Sequence, residues 1–237
     1  MAMNERRAIV LLSGGLDSSV AMALAIEEGI RVCRAITFDY GQRAASREIQ
    51  KANLIARHYG VLHSVVPLPW FRELWCGGAL LTESQALPQP SLADLADKEA
   101  SRVSAQKVWV PNRNGVFLEI AAGMAESRGA DLVIVGFNAE EASTFPDNSM
   151  EYVHALNGAL KYSTANQVRV ISPTAQMHKH DIVSAAIRVG FPLASVWSCY
   201  EGHEYMCGTC ESCMRLKRAL TSNEVGGQVA FENTLAG

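Results

Sequence analysis

Two stretches of this chain carry residue types and spacings that could do chemistry. The first is Ala8-Ile9-Val10-Leu11-Leu12-Ser13-Gly14-Gly15-Leu16-Asp17-Ser18-Ser19, an apolar strand that runs into a Ser/Gly turn and then a helix. Glycine tolerates φ > 0 and has no Cβ, so Gly14 and Gly15 let the backbone turn sharply and bring bare amides close to an anion. The Ala-, Met- and Leu-rich segment Ser18–Glu28 is predicted as helix, and its first turn adds unpaired N–H groups and the positive end of a dipole. Asp17 stands where a carboxylate can hold Mg2+ beside phosphate oxygens. The pattern is not a Walker A loop, since no Lys-Ser/Thr pair follows the glycines, and it is not G-x-G-x-x-G.

The second stretch holds Cys199, Cys207, Cys210 and Cys213, four of the six cysteines within fifteen residues. Such spacing places four thiolates around one tetrahedral ion, and a structural Zn2+ is the expectation. Disulfides need an oxidising compartment, and no signal peptide is visible. An iron–sulfur cluster competes, because Cys207-x-x-Cys210-x-x-Cys213 copies part of a ferredoxin run. Against it, the fourth cysteine lies upstream and Arg215-Leu216-Lys217 replaces the usual continuation. Cys33 and Cys76 stand alone and read as buried apolar residues.

The elements that must position these residues alternate along the chain. Strands are predicted near Ala8–Leu12, Arg31–Phe38, Leu62–Val66, Asp131–Gly136 and Gln167–Ile171. Helices are predicted over Ser18–Glu28, Ala44–Tyr59, Gly115–Arg128, Glu151–Ala165 and Lys179–Val189, with a further one over Met214–Leu220. This alternation specifies an α/β fold, a doubly wound, mostly parallel five-stranded sheet of Rossmann-like design. Such sheets bind ligands beyond the carboxyl ends of their strands. The loops there hold Ser13–Ser19, Asp39–Arg43, Gly136–Asp147 and Pro173–Lys179. Residues 1–192 read as the phosphate-binding α/β domain, interrupted at 76–107 by Gly- and Pro-marked chain expected as a mobile insertion or lid. Residues 193–237 read as a small C-terminal zinc-binding subdomain.

Composition narrows the partners. The 237 residues carry a net charge of −3, which argues against a large nucleic-acid footprint and favours a small substrate. Met1–Arg7 is polar and the apolar run after it is too short for a leader or a membrane span, so a cytoplasmic protein is expected. An enzyme of this size and class is often a homodimer. His178 and His180 flank Lys179, and as an i, i+2 pair on a helix they are expected to face different sides.

The Ser13–Ser19 loop resembles the pyrophosphate loop of the PP-loop ATP pyrophosphatases. Three further motifs extend the likeness: Phe38-Asp39-Tyr40-Gly41-Gln42-Arg43; Val110-Pro111-Asn112-Arg113-Asn114 with Phe117-Leu118; and Cys199-Tyr200 followed by Cys207-Gly208-x-Cys210-x-x-Cys213. Together they resemble the 7-cyano-7-deazaguanine synthase family, in the family's order and over nearly the whole chain. The resemblance implies an adenine nucleotide alpha hydrolase-like fold. It also implies an ATP-dependent carbon–nitrogen ligase that converts 7-carboxy-7-deazaguanine and ammonia into 7-cyano-7-deazaguanine (preQ0), a queuosine precursor. ATP, Mg2+ and one Zn2+ per chain come with it.

By the same resemblance, Leu12, Ser13, Gly14, Gly15, Leu16, Asp17, Ser18, Ser19, Asp39 and Gln42 bind ATP. Asp17, Arg113 and Lys179 serve catalysis, the two cations neutralising charge on the α-phosphate or departing pyrophosphate. Glu141, Ser143, Phe145 and Asp147 meet the substrate, and Cys199, Cys207, Cys210 and Cys213 hold the metal. The chain departs from the family where an acidic residue and Ser-Gly-Tyr-Pro-Asp-Cys-Arg are usual. Here the run is Glu141-Ala142-Ser143-Thr144-Phe145-Pro146-Asp147-Asn148-Ser149, without the Cys and Arg. Ile171-Ser172-Pro173-Thr174 likewise replaces the usual Glu-Thr-Pro-Leu. A ligase adenylating a different carboxylate or amide is the alternative within enzymes, and a non-catalytic ATP-binding zinc protein the alternative outside them.

Overall fold

A computed structural model of the chain describes residues 6–75, 78–91 and 93–232. Five strands form one sheet: β1 (Arg7–Leu11), β2 (Arg31–Asp39), β3 (His63–Pro67), β4 (Leu132–Ile134) and β5 (Arg169–Ile171). Their order is β3-β2-β1-β4-β5 and every pair is parallel. Among the described residues the helices are α1 (Leu16–Glu27), α2 (Ala45–His58), α3 (Pro69–Leu74), α4 (Lys98–Val108), α5 (Arg113–Ser127), α6 (Ala139–Ala142), α7 (Met150–Ser163), α8 (Lys179–Arg188) and α9 (Glu211–Ser222).

The central strands β1 and β4 are apolar on both faces because helices cover both. Along β1, Ala8 and Val10 join the core made with α1, α2, α8 and α9, while Ile9 joins the core made with α5 and α7. That is the period-two alternation of a strand with two buried faces. The five predicted strands and six predicted helices are all present, with no end shifted by more than three residues. Three further helices, α3, α4 and α6, carry no sequence expectation. Of these, α4 begins inside the 76–107 stretch, capped by Asp97, whose side chain accepts from the Ala100 amide at 2.7 Å.

The Cys-bearing segment packs into the same core as α1 and α8: Leu193, Val196, Trp197, Met206 and Leu216 are all buried with them. Cys33 is a correction, being only half-buried. It lies in the first part of β2, ahead of Ala35, where pairing with β3 begins. Cys76 falls outside the described residues. No helix among the described residues is long and apolar enough to cross a membrane.

Candidate active site and metal centre

Strand β1 has β2 on one side and β4 on the other, so the loops after β1 and β4 part and leave a crevice at the switch point. A cavity of about 260 Å3 occupies it, lined by Leu12, Ser13, Gly15, Leu16, Asp17 and Ser18, by Gly136 and Phe137 beyond β4, and by Tyr40, Glu48, Arg113 and Lys179. The turn after β1 is tied down by its own side chains. Ser18 Oγ accepts from the Ser13 amide at 3.2 Å and lies 3.0 Å from Ser13 Oγ. Ser19 Oγ donates to the Gly15 carbonyl at 2.6 Å.

Two glycines are required by close approach. Gly14 has φ +76°, and a Cβ there would lie 2.8 Å from the Glu48 carbonyl and 2.9 Å from the Ala52 amide. Its own carbonyl accepts from the Trp197 amide at 2.8 Å, which links the loop to the cysteine-bearing segment. A Cβ on Gly136 would lie 2.3 Å from the Ser18 amide, so the loop after β4 lies against the start of α1.

Lys179 opens α8 and is buried. A cation at a helix start opposes the dipole, and two carboxylates offset this. Its ammonium donates to Asp17 and, at 2.8 Å, to Glu141 Oε1. Burial pushes the Asp17 carboxyl up to about 6 against the pull of Lys179. Burial acts upward on Glu141 too, but Lys179 outweighs it and holds that carboxyl below its usual range. Burial disfavours the Lys179 ammonium, yet Asp17 and Glu141 raise its pKa above the ordinary value. Asp17 Oδ1 is buried and makes no hydrogen bond, which leaves one lone-pair face of a carboxylate for a hard cation such as Mg2+.

Arg113 opens α5, stacks 6.0 Å from the Tyr40 ring centroid and donates to the Tyr40 hydroxyl at 3.4 Å. Burial works against its charge, and Tyr40, Asp147 and Glu48 outweigh that. No local pattern singles out Glu48, a carboxyl pushed up by burial on the far wall; it comes to the cavity only through the packing of α2. Asp39 and Gln42 do not line the cavity. The Gln42 amide serves the loop after β2, donating to the Phe38 carbonyl at 3.1 Å and to Glu48 at 2.8 Å. Gly14 and Ser19 also stay behind its wall.

A second cavity of about 140 Å3 adjoins the first and shares Arg113, Glu141, Asn148, Lys179 and Tyr200 with it. Trp109 and Phe145 line it with rings 6.1 Å apart and 12° from parallel. Asp147 lines it too, its carboxyl pushed up by burial and its Oδ1 buried without a hydrogen bond. Of the residues expected at the substrate, Glu141, Phe145 and Asp147 meet here, whereas Ser143 faces an outer cavity of about 710 Å3. Ser149, where the family usually has Arg, caps α7 by accepting from the Tyr152 amide at 3.1 Å. Ser172 and Thr174 hydroxyls both donate to the Phe137 carbonyl at 2.8 Å, tying the end of β5 to the loop after β4.

His178 is a correction. Its ring stacks on that of His180, with centroids 6.3 Å apart and planes 16° from parallel. The two sides expected of an i, i+2 helical pair do not apply, because His178 is the N-cap, with extended backbone (φ −84°, ψ 167°).

The sulfurs of Cys199, Cys207, Cys210 and Cys213 all lie within 4.8 Å of one another. Four thiolates about 2.3 Å from a tetrahedral ion sit roughly 3.8 Å apart, so the cluster has the dimensions of one thiophilic metal site. Backbone amides support the charge that thiolates would carry: Cys207 donates to Cys199 Sγ at 3.4 Å and Cys210 to Cys207 Sγ at 3.3 Å. Tyr200 and Ser212, each beside one of the four cysteines, line the first cavity together with Cys199. The cysteine cluster thus builds one wall of that cavity.

The chain is similar to known proteins over most of its length. The profile of the family described as "Queuosine biosynthesis protein QueC" matches residues 7–224. A 7-cyano-7-deazaguanine synthase from Pelotomaculum thermopropionicum is 52% identical over 90% of this chain and 96% of its own. One from Bdellovibrio bacteriovorus is 47% identical over 96% of this chain and 98% of its own. Among solved structures, an NMN synthetase from Francisella tularensis is 16% identical with a TM-score of 0.48, over 93% of this chain and 77% of that one. With the profile covering nearly the whole chain and relatives this similar along their full length, the chain belongs to the QueC family of queuosine biosynthesis proteins.

Proposed function

We propose that this protein is an ATP-dependent ligase that makes 7-cyano-7-deazaguanine from 7-carboxy-7-deazaguanine and ammonia. The observation that carries the reading is the junction of the two inner cavities at Lys179, Arg113 and Glu141. A phosphate loop opens on one side and an aromatic slot for a planar heterocycle on the other.

Neither a carboxylate oxygen nor an amide oxygen leaves in water, so each must be esterified to AMP. The substrate carboxylate attacks the α-phosphorus of ATP and expels pyrophosphate; ammonia displaces AMP from the mixed anhydride to give the amide. The amide oxygen attacks a second ATP, again expelling pyrophosphate, and loss of AMP and of both amide protons leaves the nitrile. Two ATP are used per nitrile.

Amides at the start of α1 and the Ser13 and Ser18 hydroxyls hold the β and γ phosphates. Lys179 and Arg113 meet charge that builds on the α-phosphate and leaving group in the transition state. Mg2+, when bound, neutralises phosphate charge, and the free Oδ1 of Asp17 is the group fit to hold it. Trp109 and Phe145 offer ring faces to the heterocycle, and Asp147 an acceptor for its N–H donors. The four cysteines hold Zn2+ as a structural ion. The protein acts in the cytoplasm on small molecules, with ammonia as nucleophile, and a homodimer is the assembly common for an enzyme of this size.

The test is to incubate protein with Mg-ATP, ammonium and 7-carboxy-7-deazaguanine and follow AMP, pyrophosphate and nitrile by mass. Two AMP per nitrile, lost in Asp17→Ala, is the expected result. AMP release without nitrile would assign a different substrate.

A further inference from the structure

Lys179, at the start of α8, needs a support that remains once a cation takes Asp17. Glu140 of α6 answers this. Its Oε1 accepts from Arg215 Nη1 and from Arg218 Nη2, each at 2.5 Å, and its Oε2 accepts from the Lys179 backbone amide at 3.4 Å. One carboxylate therefore ties α9 to the first residue of α8. Arg215 is itself fixed by Glu211 Oε1, at 3.0 Å from Nε and 2.7 Å from Nη2. The side chains of Arg215, Glu140 and Glu211 are 11%, 13% and 6% exposed. Buried charges locked in two-point contacts have few other geometries available.

The far end of this chain of contacts is the metal centre. Cys210 is the N-cap of α9 and Cys213 lies in its first turn, so four-thiolate coordination fixes the rotation of the helix and thus the direction of Arg215. The near end is the reacting group, because Glu141, next to Glu140, accepts from the Lys179 ammonium.

We propose that Arg215 and Glu140 are positioning residues: the α9 guanidinium holds the α6 carboxylate, which sets the start of α8 and keeps the Lys179 ammonium at the phosphate loop. The inference rests on the ATP-activating reading. Around Asp17 the charged groups are Lys179 from α8 and Glu141 and Glu140 from α6. Arg215 and Arg218 of α9 lie one step further out, on Glu140.

The experiment compares the metal-loaded protein with Arg215→Gln, Glu140→Gln and Arg215→Lys. AMP release from Mg-ATP, ammonium and 7-carboxy-7-deazaguanine is followed with Mg-ATP varied, so that kcat and KM separate, and bound zinc is counted in each sample. In Arg215→Gln and Glu140→Gln we expect kcat to fall about tenfold to a hundredfold, as displaced groups cost, while KM for Mg-ATP changes by less than about twofold, because the loop after β1 is untouched. Zinc content should stay at one per chain, and Arg215→Lys should restore part of the rate. Should either Gln variant fail to fold, Arg218→Gln, at a position 42% exposed, is expected to give a smaller fall in kcat with the same KM.

An unchanged kcat, or a rise in KM for Mg-ATP as large as the fall in kcat, overturns the proposal. So does a rate loss matched by loss of zinc. A parent protein that releases no AMP would overturn the functional reading instead.

Discussion

Lys179 and Asp17 stand 162 positions apart in sequence, and each begins a helix whose N-terminus faces the other across the crevice. Asp17 suits the dipole of α1, while Lys179 opposes that of α8. The pair therefore keeps a buried cation beside the turn after β1, balanced by the carboxylates of Asp17 and Glu141.

Replacing Lys179 by Met should abolish AMP formation and also destabilise the fold. Asp17 and Glu141 would then be buried side by side with no cation, and removing one partner from buried charges costs about 3–5 kcal/mol. Urea unfolding at pH 8 and at pH 5 checks this: the deficit should shrink at pH 5, where the carboxyls can take up a proton.

Stability and activity should run in opposite directions through the Asp17 titration. The folded value, about 6, lies above the ordinary 3.8, so between these pH values the folded protein binds more protons than the unfolded chain. The contribution is fully present below about pH 4 and is lost as pH rises through 6, up to about 3 kcal/mol in all. Activity should rise over the same window as Asp17 becomes available to a cation. Asp17→Asn should flatten that part of the stability profile in pH-dependent denaturation.

Cys213→Ala should lose the metal and lower the melting temperature by about 10 °C, as expected for about 3–4 kcal/mol in a chain of this size. Because Tyr200 and Ser212 line the site, heterocycle binding should weaken as well. Zinc analysis, calorimetry and titration with the heterocycle would check each part.

Phe145→Ala should raise KM for the heterocycle by about tenfold to a hundredfold, the worth of a lost stacking face, while KM for ATP changes by less than about twofold. Steady-state kinetics with each substrate varied in turn separates the two. Equal effects on both would move the heterocycle away from the Trp109–Phe145 slot.

Gly136→Ala should lower kcat at least about tenfold with little change in ATP affinity. The added methyl would lie 2.3 Å from the Ser18 amide and must push the phosphate loop away from the loop after β4, and a displacement of about 1 Å can cost a hundredfold. Single-turnover AMP formation measures it.

Much was decided by the sequence itself. The strand–glycine–helix passage at Ser13–Ser19, the five strands and the four-cysteine cluster are local patterns, set by periodicity and short spacing. Any chain that folds them must turn where Gly14 and Gly15 allow and gather the thiols that lie close in sequence. The helix α4 escaped notice because Lys98–Val108 is mostly polar and shows no strong apolar stripe. Tertiary structure alone brought Glu48 to the cavity wall while Gln42 turned its amide to the Phe38 carbonyl and to Glu48. It also made Glu141 a partner of Lys179 and joined Arg215 to Glu140. Those pairings depend on which helix faces which across the sheet. Strand order and the burial of charge fix that, and neither can be read from neighbours in sequence.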